Sequence, residues 1–276
     1  MVLPPLPVLV SFKAYIEPGC PPLRLELDRL PRLEEVELRG SANEGEADHG
    51  SAELVAAFPA VAAGPAAASS APAAPIRLRR LRLDLSSATL DFAAMPALAR
   101  ADIWAAEVAG GASLAAASSL THLQLGSSSA SSDSMYPDKY ELDKLWVLDA
   151  LGALPPTLRT LHLRGTSFHA ELGAALARAA SLHTLCLSIE IPEFFHDEED
   201  EEGEAEEDSV AIGPGPLWRS LRALRLPGWE RLPQALASAE DLEVLDLSLN
   251  MGGRRDSAFL EAAAGMASRD GEAAGS

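Results

Sequence analysis

The sequence predicts an α/β solenoid, with short parallel strands lining a concave face and helices on the convex face. Three observations predict it. A six-residue pattern, L-x-x-L-x-L, recurs seven times along 276 residues. Within each copy the apolar positions alternate, as on a strand with one buried face. Between several copies lie Ala- and Leu-rich stretches with helical spacing.

The copies read LEEVEL (33–38), LRRLRL (78–83), LTHLQL (120–125), LRTLHL (158–163), LHTLCL (182–187), LRALRL (221–226) and LEVLDL (242–247). Positions four and six put both side chains on one strand face, and the first Leu opens the inward turn. One such unit cannot bury that face by itself, so neighbouring units must stack and pair their strands in parallel. Two pairs of copies start 24 and 21 residues apart, at 158 and 182 and at 221 and 242. The others are 38 to 45 apart, so they carry insertions or hide a degenerate copy.

The elements follow in chain order. Residues 1–29 form a cap-like segment, in which alternating Val8, Val10 and Phe12 and then Leu23, Leu25 and Leu27 predict a strand pair covering the first unit. The solenoid spans 30–250, with disordered inserts at 41–75 and 190–216. The first insert passes from polar residues into AAGPAAASSAPAAP and holds at best a short helix near 53–58. Residues 95–111 predict a helix, with Pro96 in its first turn and Gly110–Gly111 past its end. SSSASSDS (127–134) is a flexible loop, and 137–156 is a second helix opened by Asp138. Leu172 and Leu176, four apart among alanines, predict a third helix over 169–182. The second insert holds ten acidic residues in the twelve positions 197–208, a solvated and disordered run. Residues 251–276 offer one helix, DSAFLEAAAGMA, and a frayed tail.

The last copy, LPQALASAEDLEVLDLSLN (232–250), carries the clearest family signal. It resembles the leucine-rich-repeat pattern L-P-x-x-L-x-x-L-x-x-L-x-x-L-x-L-x-x-N, with Ala239 in place of one Leu. The resemblance covers most of 30–250 and implies an irregular intracellular member of that family. In the family, an Asn at the ninth position of each repeat bonds the backbone of adjacent turns. Here that position holds Ser41, Ser86, Ser128, Thr166, Glu190, Trp229 and Asn250. Each such bond is worth only about 1 kcal/mol, so the array survives their loss but turns irregular in its middle. The resemblance further implies a scaffold or adaptor that binds protein partners.

Composition narrows the classes. The chain is 47 % apolar but only 5 % aromatic, so Leu and Ala must fill the core. A net charge of −19 and an isoelectric point near 4.6 exclude the whole chain as a nucleic-acid binder. The start, MVLPPLPVLVSF, lacks the basic region of a signal peptide, and no apolar run reaches the roughly 18 residues that span a bilayer. Two cysteines, Cys20 and Cys186, make no disulfide framework, and neither Asn43 nor Asn250 opens a glycosylation sequon. An intracellular protein is expected, cytoplasmic first, with cytoskeletal, axonemal or nuclear placement as alternatives.

The residues supply no catalytic, cofactor-binding or metal-binding constellation. His122 and His162 hold outward positions, but no Asp, Glu or Cys at ligand spacing completes a zinc site. In the acidic run, Gly203 fits the sixth position of a calcium loop while Ser209 falls where a bidentate Glu belongs. Cys186, at position five of its copy, is the one candidate nucleophile and gives an alternative reading as a solenoid-based enzyme. A gene fragment without independent function is a further alternative.

The binding signal lies at positions two, three, five and seven, which point outward. In the five middle copies these hold Arg79, Arg80, Arg82, His122, Arg159, His162, Arg164, His183, Arg222 and Arg225, with Asp84 the only acid among them. An acidic chain therefore carries a basic stripe. Arg bonds carboxylates and phosphates bidentately, so the expected partner is an acidic or phosphorylated protein. Residues 196–208 are expected to reach back and mask the stripe. None of the seven copies places an aromatic at these positions, so charge-steered binding is expected.

Overall fold

The computed structural model describes residues 6–16, 20–40, 51–55, 76–126, 142–164, 170–188, 212–226 and 233–247. The protein is an α/β fold of parallel strands with few helices, and it divides into two compact units, Met1–Leu161 and His162–Ser276.

In the first unit, strands β1 (Ser11–Ile16), β3 (Glu35–Gly40), β5 (Arg80–Leu90), β6 (Arg100–Ala109) and β7 (His122–Gly126) form one row. The register matches hexamer position to hexamer position: Val36 faces Leu81, Leu81 faces Ala101, and Ala101 faces Leu123. One bonding motif recurs at every step. The N–H groups of Glu34 and Glu35 both donate to the Val10 carbonyl, at 2.8 and 3.2 Å. Arg79 and Arg80 repeat this on Glu34, Ala99 and Arg100 on Arg79, Thr121 and His122 on Ala99, and Arg159 and Thr160 on Thr121. The first, fourth and sixth positions of the hexamers at 33, 78, 120 and 158 are all buried.

A second row stands beside the first. Strands β2 (Leu23–Glu26) and β4 (Ser51–Val55) pair with each other, and β4 pairs with the far half of β5, which pairs in turn with the far half of β6. Both long strands turn a corner. Leu81, Leu83 and Leu85 point inward, and the alternation then shifts by one so that Ala88 and Leu90 do as well. Ala101, Ile103, Ala105 and Val108 repeat that shift. The apolar faces of the two rows, with Phe92, Met95, Leu98 and Leu114, make the core of this unit. Helix α1 (Leu142–Gly152) packs on β6 and on the 3-10 turn Gly111–Ala116, burying Trp146, Val147, Ala150 and Leu151.

Three expectations change here. Residues 95–111 contain β6 in place of a helix. Ala favours helices by propensity, but the slot between β5 and β7 offers unpaired backbone groups and a period-two apolar face, and tertiary pairing wins. Its end at Gly110 has φ 94°, and a Cβ there would run into the Leu90 carbonyl oxygen. Ser51–Val55, inside the stretch 41–75, is a strand with Ala52 and Leu54 buried, neither mobile insert nor helix. β1 and β2 do not pair with each other: β1 joins β3 and β2 joins β4. Among the described residues of the first unit the wall behind the main row is thus largely strand and 3-10 turn, with α-helix only at α1.

The second unit begins within β8 (Thr160–Arg164) and continues through α2 (Ala170–Ala177), β9 (Thr184–Ser188), α3 (Leu217–Ser220), β10 (Ala223–Arg225) and β11 (Val244–Asp246). β10 pairs in parallel with β9 and β11, placing Leu224 against Leu185 and Leu245. The same bonding motif returns: Arg222 and Ala223 donate to the His183 carbonyl, Glu243 and Val244 to that of Arg222. Helix α2 buries Leu172, Ala175 and Leu176, as its spacing predicts. Residues 212–216, at the end of the expected insert, are placed: Ile212 is buried, and the indole Nε1 of buried Trp218 donates to the Gly213 carbonyl at 3.0 Å. The loop 127–134, the acidic run 197–208, the tail 251–276 and every ninth-position residue except Ser86 lie outside the described residues.

Candidate binding face

Because the strands pair in register, outward side chains fall into rows across the first unit. Position three gives Ser11, Glu35, Arg80, Arg100 and His122. Position five gives Lys13, Glu37, Arg82, Asp102 and Gln124, and position seven gives Tyr15, Arg39, Asp84, Trp104 and Gly126. Arg79, Arg80, Arg82, His122 and Arg159 are all exposed, as an outward position requires.

The basic stripe is less continuous than the seven hexamers suggest. Glu37 gathers three cations: Lys13 Nζ at 2.7 Å, Arg39 Nη2 at 2.6 Å and Arg82 Nη1 at 3.9 Å. The hydrogen bonds from Lys13 and Arg39 hold its carboxyl down at about 2, while the Lys13 ammonium is raised in return. Asp102 pairs with Arg100 at 3.1 Å. Position five therefore alternates in sign along the unit. Position three does not: Arg80, Arg100 and His122 stand side by side with Arg79 next to them, so basic character concentrates there. The imidazole of His122 bonds Thr121 Oγ1 through Nδ1 at 2.9 Å.

Two copies of the pattern were hidden by substitution. LVSFKA (9–14) carries Leu9, Phe12 and Ala14, starting 24 residues before position 33. LARADI (98–103) carries Leu98, Ala101 and Ile103, starting 20 residues after position 78 and 22 before position 120. These spacings, close to the shortest between recognised copies, were the signal that would have found them. The hidden copies bring Arg100, Asp102, Lys13 and two aromatics, Tyr15 and Trp104, to the outward face. The expectation that no aromatic stands at these positions is corrected accordingly.

In the second unit, Arg164, Arg222 and Arg225 are exposed, and His162 and His183 are half-buried. Arg222 pairs with Glu243 at 3.1 Å and Arg225 with Asp246 at 4.0 Å, so the last strand neutralises the one before it. His183 Nδ1 lies 3.0 Å from the Ser181 carbonyl. Cys186 sits opposite Arg225 in the register and is half-buried. Burial pushes its thiol up against the opposing pull of Arg225, with Asp246 adding to the rise. That is the reverse of what an activated nucleophile needs.

Among the described residues, no group of three or more His, Cys, Asp or Glu is placed to hold a metal ion, and no helix is long and apolar enough to cross a membrane. No known family profile matches the chain, and neither does any curated protein.

Proposed function

We propose that this chain is a leucine-rich-repeat solenoid acting as a non-enzymatic protein–protein interaction module, a scaffold or adaptor. Its outward strand face takes an acidic or phosphorylated segment of a partner protein. The repeat reading is supported by the seven hexamers, by the recurrent carbonyl that accepts two N–H groups from the next unit, and by the in-register burial of the hexamer leucines.

The single observation that carries the binding reading is the row Arg80, Arg100 and His122 with Arg79 beside it. Arg80 and Arg100 stand on directly opposed strand positions, where like charges destabilise a sheet; Asp102 offsets part of that cost at Arg100, and an anionic partner bridging the two arginines removes the rest. Planar guanidinium groups also bond carboxylate and phosphate oxygens two at a time. Trp104 on the same face supplies the aromatic surface common in interface anchors.

The test is affinity capture followed by mass spectrometry, comparing the intact chain with a variant carrying Arg79→Glu, Arg80→Glu and Arg100→Glu. Partners held by this face are lost from the variant and weaken steeply with salt. Phosphatase treatment of the lysate separates phosphate from carboxylate recognition. Partners retained by the variant place the binding on another surface and overturn the reading.

A further inference from the structure

The row Arg80, Arg100 and His122 keeps hydrogen-bonding groups in reserve. Among the described residues the guanidinium of Arg80 has no ion pair or hydrogen bond. Arg100 gives only its Nε to Asp102, reaching the two carboxylate oxygens at 3.2 and 3.1 Å, so its two terminal nitrogens make no hydrogen bond. His122 bonds Thr121 through Nδ1 and leaves Nε2 without a partner. All three side chains are exposed and stand on adjacent strands in register.

Thr121 decides which nitrogen of His122 carries the proton. Its hydroxyl oxygen lies 3.1 Å from the Ala99 carbonyl oxygen and 2.9 Å from His122 Nδ1. Two oxygens that close need a proton between them, a carbonyl has none to give, and a hydroxyl has one. Thr121 therefore donates to Ala99 and accepts from Nδ1–H. In the neutral imidazole Nε2 then bears a lone pair and no proton. An anion drawn in by the arginines meets that lone pair with its own, which repels it. A proton placed between them turns the contact into a charge-assisted hydrogen bond. The charged neighbours of the imidazole are Arg100 and Asp102 on β6 and, entering β8, Arg159, whose N–H bonds the Thr121 carbonyl at 2.9 Å. His162 lies two residues beyond Thr160 on β8, and Gln124 on β7 is uncharged.

We propose that this row holds a phosphate monoester on a partner protein, one oxygen on each of Arg80, Arg100 and His122, and that binding takes up one proton, held between His122 Nε2 and the phosphate. The proposal rests on the reading of the outward face as a binding surface and narrows its ligand. Adjacent strands stand about 4.8 Å apart, so the three side chains rise from a span of about 10 Å, which two long arginines can close around one group. A monoester offers three terminal oxygens to these three groups, whereas a carboxylate offers two. Its second ionisation falls at about 6, next to the ordinary imidazole value of about 6.5, so phosphate and imidazole share the proton readily. An ordinary carboxylate ionises at about 4 and leaves the proton to the imidazole alone.

NMR titration of the intact chain with the blocked peptide Gly-Ala-phosphoserine-Ala-Gly tests this between pH 8 and pH 7, where the phosphate stays largely dianionic. Affinity should rise several-fold toward pH 7, up to the tenfold limit that one proton sets. His122→Gln, which has no proton to take up there, should flatten that rise. Thr121→Val frees Nδ1, lets the neutral ring carry its proton on Nε2, and should also flatten the rise while tightening binding at pH 8. The same peptide with Asp for phosphoserine should bind at least tenfold more weakly. On the unmodified chain, imidazole nitrogen shifts should show Nδ1 protonated in the free protein and both nitrogens protonated in the complex, a readout that needs no variant to fold. Binding that Arg80→Glu and Arg100→Glu abolish but that ignores pH, or a free His122 protonated on Nε2, overturns the proton uptake and leaves the binding face standing. Equal affinity for the Asp peptide overturns the phosphate. Inorganic phosphate that displaces the peptide at equal concentration marks a free phosphate as the ligand and overturns the protein-borne ester. No response at the row to either peptide overturns the binding face itself and this proposal with it.

Discussion

The ring of Trp104 stands against Gly126, its register partner on β7: a Cβ added to Gly126 would stand 2.5 Å from Trp104 Cε3 and 2.6 Å from Cζ3. Glycine is required there by the indole, which makes this position the contact between an outward aromatic and the strand beside it.

Replacing Gly126 with alanine therefore displaces Trp104. The ring is too broad to yield as the tip of a flexible side chain would, so the variant should lose about 1–3 kcal/mol of stability, the usual range for overpacking. Chemical denaturation measures that loss, and tryptophan fluorescence should shift to the red as Trp104 gains solvent. Unchanged stability and emission would show that the ring does not rest on β7.

Glu37 sets an acid limit on the first unit. Its carboxyl is lowered from 4.5 to about 2, first by the hydrogen bond from Lys13 and then by that from Arg39. A depressed folded-state value contributes stability that is present above the ordinary carboxylate range and is lost as pH falls from 4.5 through about 2. NMR titration of the Glu37 side chain should show a midpoint near 2, rising toward the ordinary value in Lys13→Ala. A midpoint already at the ordinary value in the unaltered chain would dissolve the three-cation cluster.

The two cysteines should separate by reactivity. Cys20 is exposed, whereas Cys186 is half-buried with its thiol pushed up by burial. A thiol reagent at neutral pH should modify Cys20 first and Cys186 slowly, with Cys186 accelerating only as pH climbs above 9.0, the ordinary thiol value. Rapid labelling of Cys186 at neutral pH would restore it as a candidate nucleophile.

Much of this arrangement is legible in the residues themselves. Leucines at positions one, four and six have a spacing that only a turn followed by a one-sided strand can bury. Leu78, Leu81 and Leu83, and Leu182, Leu185 and Leu187, are buried as that spacing demands. The arginines between them are outward for the same reason. Leu172 and Leu176, four apart, are likewise buried on one helix face, because the helical period is a local property.

What the local pattern does not carry was decided by tertiary contacts. Ala101, Ile103 and Ala105 read as helix when weighed by propensity, and only an open slot between β5 and β7 makes them a strand. Ser51–Val55, short and embedded in low-complexity sequence, becomes a strand because β2 and the far half of β5 flank it. The electrostatics followed the same division. A linear reading sees each side chain's sign, whereas cross-strand register chooses its neighbours, turning a basic stripe into the alternating row Lys13, Glu37, Arg82, Asp102 and a basic cluster at Arg80, Arg100 and His122. Periodicity and sign belong to the sequence because they depend on neighbours along the chain. Pairing belongs to the tertiary structure because it joins residues 20 or more positions apart, whose contacts no local period encodes.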